Sequence, residues 1–127
     1  MYEFSQRSLD ELTTCHKDLI ILFNEVIKQI DCTVLCGHRN EEDQNNAYPK
    51  NSSVQWPNSK HNTKPSIAVD VVPYPIDWED RARQHEFATI VYDTAMKLNI
   101  RIRWGGRFKK KNGKIFYDSP HWELIND

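Results

Sequence analysis

Apolar residues recur at helical spacing from Leu12 through Cys15, Leu19, Leu22, Phe23 and Val26 to Ile30. That period predicts one amphipathic helix over residues 9–30. Ser8-Leu-Asp-Glu11, at its start, has the spacing of a capping box, with the Ser8 hydroxyl set to accept a backbone N–H and Glu11 to reach back. Thr33 to Cys36 reads as a short buried strand ending at Gly37. Asn40 before Glu41, Glu42 and Asp43 puts a capping side chain and three acids at a helix N-terminus, and Pro49 closes that helix early. Residues 49–66 hold three prolines, three asparagines and four serines without an apolar period. A structureless stretch of that length in a compact domain usually has a functional reason. Ile67 to Val72 is strand-like, ended by Pro73 and Pro75. Asp77 is the expected cap of a second long helix with an apolar stripe of Trp78, Ala82, Ile90, Val91, Ala95 and Leu98. Ile100 to Trp104 reads as a strand and Gly105-Gly106 as a turn. Asn112-Gly113 suits a type I′ hairpin, whose return strand, Ile115 to Tyr117, runs into Asp118-Ser-Pro-His121-Trp-Glu-Leu124.

This order of strands and helices predicts an α+β fold: a small, mainly antiparallel sheet with helices packed mostly on one face. The chain's 127 residues fit one domain, 1–127, able to bury roughly two-thirds of its unfolded surface. With 39% hydrophobic and 28% charged residues, wholesale disorder is excluded. A net charge of −1 argues against a nucleic-acid partner. Seven basic residues and no acid lie between Arg101 and Lys114, either a solvated hairpin or an edge that touches polyanions. The three cysteines, Cys15, Cys32 and Cys36, are too few and too irregular for a disulfide framework and read as buried thiols packing as small hydrophobes. The N-terminus has no basic head followed by an apolar stretch, so no signal peptide is expected and synthesis is placed in the cytoplasm. No segment approaches the ~20 apolar residues of a membrane span.

Three residues stand out chemically. Asp70 falls among Val69, Val71 and Val72, where a carboxylate is costly unless paired or bound to metal. His61 lies in the long loop, and His121 follows the hairpin. Each alone has an ordinary alternative: a loop histidine, a salt-bridged core acid, a satisfied interior histidine.

Together, Ser59-Lys-His61, Ala68-Val-Asp70 and Asp118-Ser-Pro-His121-Trp122 resemble the motifs of the peptidoglycan metallopeptidases that include D-alanyl-D-alanine carboxypeptidases and phage L-alanyl-D-glutamate endolysins. The resemblance runs from about Val34 to Leu124. It implies a zinc ion held by His61, Asp70 and His121, with Asp118 as general base. Gly37-His-Arg39, followed by Glu42 and Gln44, is similar to a family segment whose arginine faces substrate. This implies a substrate-side role for Arg39, with Gln44 and Ser59 as further candidate substrate contacts. Trp104-Gly-Gly106 resembles the endolysins in particular. The step from His61 to Asp70 is nine residues where family members commonly have seven. A loop absorbs two extra residues at little entropic cost, so the rim of the cleft is expected to differ.

The resemblance implies a zinc-dependent endolysin that cuts the L-alanyl-D-glutamate bond of the peptidoglycan stem peptide, acting as a monomer on the wall after release through the membrane. Anionic wall polymers are a possible second partner of the basic hairpin. A D-alanyl-D-alanine carboxypeptidase is the alternative within the class, and a non-catalytic zinc-cleft module that binds wall is the alternative outside it.

Overall fold

A computed structural model describes residues 2–50, 54–109 and 115–125. Helices α1 (Gln6–Leu12) and α2 (Lys17–Val26) lead into strand β1 (Cys32–Cys36) and helix α3 (Glu41–Ala47). A 3₁₀ turn at Lys60–Asn62 precedes β2 (Ala68–Pro73), helix α4 (Arg81–Lys97) and β3 (Ile102–Trp104). A second 3₁₀ turn, Gly105–Arg107, then leads to β4 (Phe108–Lys109), β5 (Ile115–Phe116) and β6 (His121–Leu124). The main sheet has the order β1-β2-β6-β3 with antiparallel neighbours, and β4 pairs with β5 separately. The fold is α+β, as expected. The expected hairpin is present in its two strands, while its Asn112-Gly113 tip lies outside the described residues.

Side chains alternate across the sheet with the period of two that a strand imposes. Val34, Val69, Val71, Ile102, Trp104, Trp122 and Leu124 all enter the hydrophobic core. Helices α2 and α4 pack on each other above it. Trp122 is its centre: Phe23 of α2 and Phe87 of α4 meet it edge-on, each at 6.3 Å, and Trp104 stacks on it at 5.8 Å.

The expected helix over 9–30 is two helices with a corner at residues 13–16. Cys15 forms an isolated parallel bridge with Ser66. The His16 N–H donates to the Ser66 carbonyl at 2.8 Å, and the Ser66 N–H to the Thr14 carbonyl at 3.1 Å. Backbone groups taken by a distant segment cannot also continue a helical ladder. The periodicity runs on through the break because Leu12, Cys15 and Leu19 face the same core on both sides of it.

The capping box is also replaced. Ser5 caps α1, accepting the Ser8 N–H at 3.2 Å. Ser8 Oγ instead accepts the Val34 N–H at 3.1 Å, Glu11 Oε1 the Gly37 N–H at 3.0 Å, and Thr14 Oγ1 the His38 N–H at 2.7 Å. Residues three apart lie along one helix face, so the spacing of a capping box also makes a row of acceptors. That row covers the outer edge of β1, which would otherwise present unpaired donors.

Helix α4 is capped by Asp80, accepting the Arg83 N–H at 3.0 Å, rather than by Asp77. Trp78 lies outside the helix and is 52% exposed. The buried stripe is Gln84, Phe87, Ala88, Val91, Thr94 and Ala95. Asn99, at φ 58°, ends it in the left-handed region that asparagine tolerates. The Ile100 N–H then reaches the Ala95 carbonyl and the Asn99 N–H the Met96 carbonyl, the paired bonds of a Schellman motif. The short helix closed before Pro49 forms as expected, with Asn40 Oδ1 accepting the Asp43 N–H at 2.8 Å.

Cys15 and Cys32 are buried free thiols, and burial pushes both up to about 12, leaving them protonated and inert. Ser8→Ala should strand the buried Val34 N–H without a partner and cost about 1–3 kcal/mol. Urea denaturation should show a lower midpoint at unchanged slope; an unchanged midpoint would mean the edge donor finds another acceptor.

Candidate active site

Asp70 stands mid-strand on β2, where alternation turns it away from the core neighbours Val69 and Val71. Directly across from it are Cys36 on β1 and His121 on β6. A register shift between Val34 and Cys36 sets this row. Regular pairing would have put Leu35 opposite Asp70; the bulge brings Cys36 there instead.

His61 arrives from the long loop. Ser59 organises its 3₁₀ turn: the Ser59 hydroxyl accepts the His61 N–H at 3.2 Å, and Asn62 Oδ1 accepts the Ser59 N–H at 3.0 Å. His61 Nδ1 lies 2.8 Å from the Gly37 carbonyl oxygen. A carbonyl only accepts, so this nitrogen carries a proton and Nε2 points inward. That Nε2 is buried, 3.2 Å from Asp70 Oδ1, yet makes no hydrogen bond. His121 is held the opposite way round. Its Nε2 is 2.8 Å from Glu123 Oε1, and its Nδ1 is 3.6 Å from Asp70 Oδ1.

The ligand atoms of His61, Asp70 and His121 lie within 4.8 Å of one another. Two imidazole nitrogens and a carboxylate oxygen form a donor set used in catalytic zinc sites. A buried imidazole nitrogen without a hydrogen bond, aimed at the other two ligands, fits a metal ion better than it fits a finished polar network. These residues could hold a divalent metal.

Electrostatics agree. Burial works against charge on His61, but the Asp70 carboxylate beside it outweighs that and holds the imidazole at about 10. Burial likewise opposes charge on Asp70, and the His121 and His61 imidazoles beside it overcome that, keeping the carboxyl well below the usual range. His121 is raised against the cost of burial by Asp70 and Glu123. Asp118 goes the other way. Burial raises its carboxyl, with nearby Asp70 adding to the rise and His121, His61 and Arg39 opposing it.

Arg39 spans the cluster's rim. Its Nη2 is 3.8 Å from Asp70 Oδ2 and its Nη1 donates to Gln44 Oε1 at 3.0 Å. Gln44 is fully buried; its amide donates to the Val54 carbonyl at 2.7 Å while its oxygen also accepts from Asn62 Nδ2 at 3.2 Å. Asn62 donates as well to the Arg39 carbonyl at 3.0 Å.

The Trp104-Gly-Gly string has a steric basis. A Cβ on Gly106 would run into the Trp104 ring. One on Gly105 would strike the Asp118 carbonyl oxygen and come within 3.0 Å of the Asp118 and His121 Cβ atoms. The Asp118-to-His121 turn packs flush on Gly105, closed by Asp118 N–H to Gly105 O at 3.0 Å and His121 N–H to Asp118 O at 3.2 Å. The long His61-to-Asp70 step is used too: Thr63 Oγ1 accepts the Ile67 N–H at 3.1 Å, and Ser66 is the residue that docks on the α1–α2 corner.

A family model described as phage L-alanyl-D-glutamate peptidase matches residues 1–125. The chain belongs to that family. Among solved structures it is similar to the Serratia marcescens L-Ala D-Glu endopeptidase ChiX, at a TM-score of 0.78 and 26% identity over 97% of this chain and 90% of that one. No curated protein matches the sequence. The chain is therefore a peptidase of the peptidoglycan-cleaving, endolysin kind.

Of the residues singled out in the sequence, His61, Asp70 and His121 converge, with Arg39 and Asp118 beside them. Gln44 and Ser59 lie beneath: Gln44 is spent on Arg39, and Ser59 on the turn that carries His61. The sequence reading missed Asn62 and Glu123. For Glu123 a signal existed, since His121-Trp-Glu123 on a strand puts both polar residues on one face.

Two outcomes follow from this geometry. Metal uptake must displace the His61 proton at neutral pH. Calorimetry in buffers of different ionisation heat should show at least one proton released per ion, and apparent affinity should climb about tenfold per pH unit for each proton released; uptake without proton release would contradict the raised His61. Gly105→Ala should shift the Asp118 turn and cut turnover on the order of 10²-fold, the cost of a 1 Å misplacement. Unaltered kinetics would show that the turn can give way.

Proposed function

We propose that this peptidase hydrolyses the L-alanyl-D-glutamate bond of the peptidoglycan stem peptide as an endolysin, using zinc held by His61, Asp70 and His121. The observation that carries the reading is the inward-facing His61 Nε2 beside Asp70 and His121, in a chain of this family. When bound, the ion supplies Lewis acidity to the scissile carbonyl and to the attacking water. Asp118 accepts the proton of that water as the new C–O bond forms, then delivers it to the leaving amine as the C–N bond breaks. Burial favours its protonated form, which suits a base that must hold a proton between two steps.

Arg39, steadied by Gln44, binds a substrate carboxylate with its planar guanidinium. Gln44 acts through Arg39 and Ser59 through His61, so neither needs to touch substrate. Among the described residues no helix is long and apolar enough to cross a membrane. On this reading the enzyme is made in the cytoplasm and meets the wall after release.

Digestion of purified peptidoglycan, with mass spectrometry of the new termini, tests the bond. The expected products end in L-alanine and begin with D-glutamate; release of terminal D-alanine would make the enzyme a carboxypeptidase instead. Chelation should abolish activity and zinc restore it. Asp118→Asn should keep its zinc and lose about 10²–10⁴-fold in turnover, the usual worth of a general acid–base group. A folded Asp118→Asn protein without zinc would make Asp118 a ligand rather than the base.

A further inference from the structure

Glu123 is 5% exposed and both of its oxygens are engaged. Oε1 lies 2.8 Å from His121 Nε2, and Oε2 is paired with Lys60 Nζ. Lys60 belongs to the same 3₁₀ turn as His61. One carboxylate thus touches a side chain from each of the two segments that bring the histidines together. Its place on β6 gives it no share in the core, which its neighbours Trp122 and Leu124 enter from the other face.

An ionised carboxylate has no proton to give, so the nitrogen it faces must be the protonated one. Glu123 therefore leaves His121 Nδ1 as the nitrogen turned toward Asp70, 3.6 Å away. At His61 the Gly37 carbonyl does the same job for the opposite nitrogen. The two imidazoles are presented through different atoms, and each choice is made by an acceptor behind the ring. A carboxylate behind a ligand histidine fixes its tautomer and orientation and raises its basicity.

We propose that Glu123 is a positioning residue that selects Nδ1 of His121 as the metal-binding nitrogen. Through Lys60, the same carboxylate also locks the turn carrying His61 to the strand carrying His121. The inference rests on reading the cluster as a metal centre, and its test separates the two.

Long-range ¹H–¹⁵N correlation of the histidine rings in zinc-loaded wild-type protein should show His121 protonated at Nε2 and metallated at Nδ1. Metallation at Nε2 overturns the proposal without any variant. Competition with a chromophoric chelator should then find zinc bound about 10–100-fold more weakly by Glu123→Ala. Glu123→Gln, which keeps an acceptor, should recover part of that loss and preserve the choice of nitrogen. Lys60→Met should weaken zinc less than Glu123→Ala does and leave the nitrogen unchanged. Wild-type zinc affinity in folded Glu123→Ala overturns the proposal, as does a weakened affinity with the His121 nitrogen assignment still as firm as in wild type. Should Glu123→Ala fail to fold, the ring spectrum of Glu123→Gln decides: Nε2 metallation there overturns it. His121→Ala is the control on the underlying reading; if it binds zinc as wild type does, the metal centre itself is misassigned.

Discussion

The antiparallel pairing of β2 with β6, Asp70 facing His121 and Val69 facing Trp122, is the constraint on which the molecule is built. Adjacent positions on each strand serve opposite faces. One face supplies the core around Trp122; the other supplies two of the three groups that could hold a metal. A slip of one residue would exchange the faces, burying Asp70 among the helices and opening Trp122 to the cleft. The apolar packing of the core therefore holds the register of the polar site, and a single pair of strands answers for both stability and chemistry.

Polar groups around the site are satisfied from behind. Gly37 O backs His61, Glu123 backs His121, and Gln44 with Asn62 backs Arg39. Bringing several ionisable side chains into a half-buried cluster costs desolvation, and this outer ring of acceptors and donors limits that cost. It also restricts rotation, so the side chains meet a ligand with little further ordering to do.

Much of this was legible from local pattern. Short-range rules found β1 and β2, the Asn40 cap and the hairpin, because each depends on neighbours within a few residues; His61, Asp70 and His121 were linked only by the resemblance of their three motifs to a known family. What escaped depends on partners far along the chain. Thr14, Cys15 and His16 leave the helical ladder because Ser66 takes their place in it, and Ser8 and Glu11 serve β1 rather than their own helix. Asp77 and Asp80 are equally good caps in isolation, and packing of the Gln84-Phe87-Ala88 face decides between them. Gln44 read as a substrate contact because nothing nearby reveals that it is buried and bonded to Val54 and Asn62.

Glu11 accepts from the Gly37 N–H, and the carbonyl of the same Gly37 accepts from His61. Only one glycine separates the first helix from the His61 imidazole, and a side chain there would collide with the Glu11 carbonyl and the Thr14 hydroxyl. Helix and imidazole are therefore joined through a single residue, so that fastening His61 in place is expected to hold α1 against fraying as well. A ligand taken up by the three-residue cluster should then register at a distance, in slower exchange of the α1 amides with solvent.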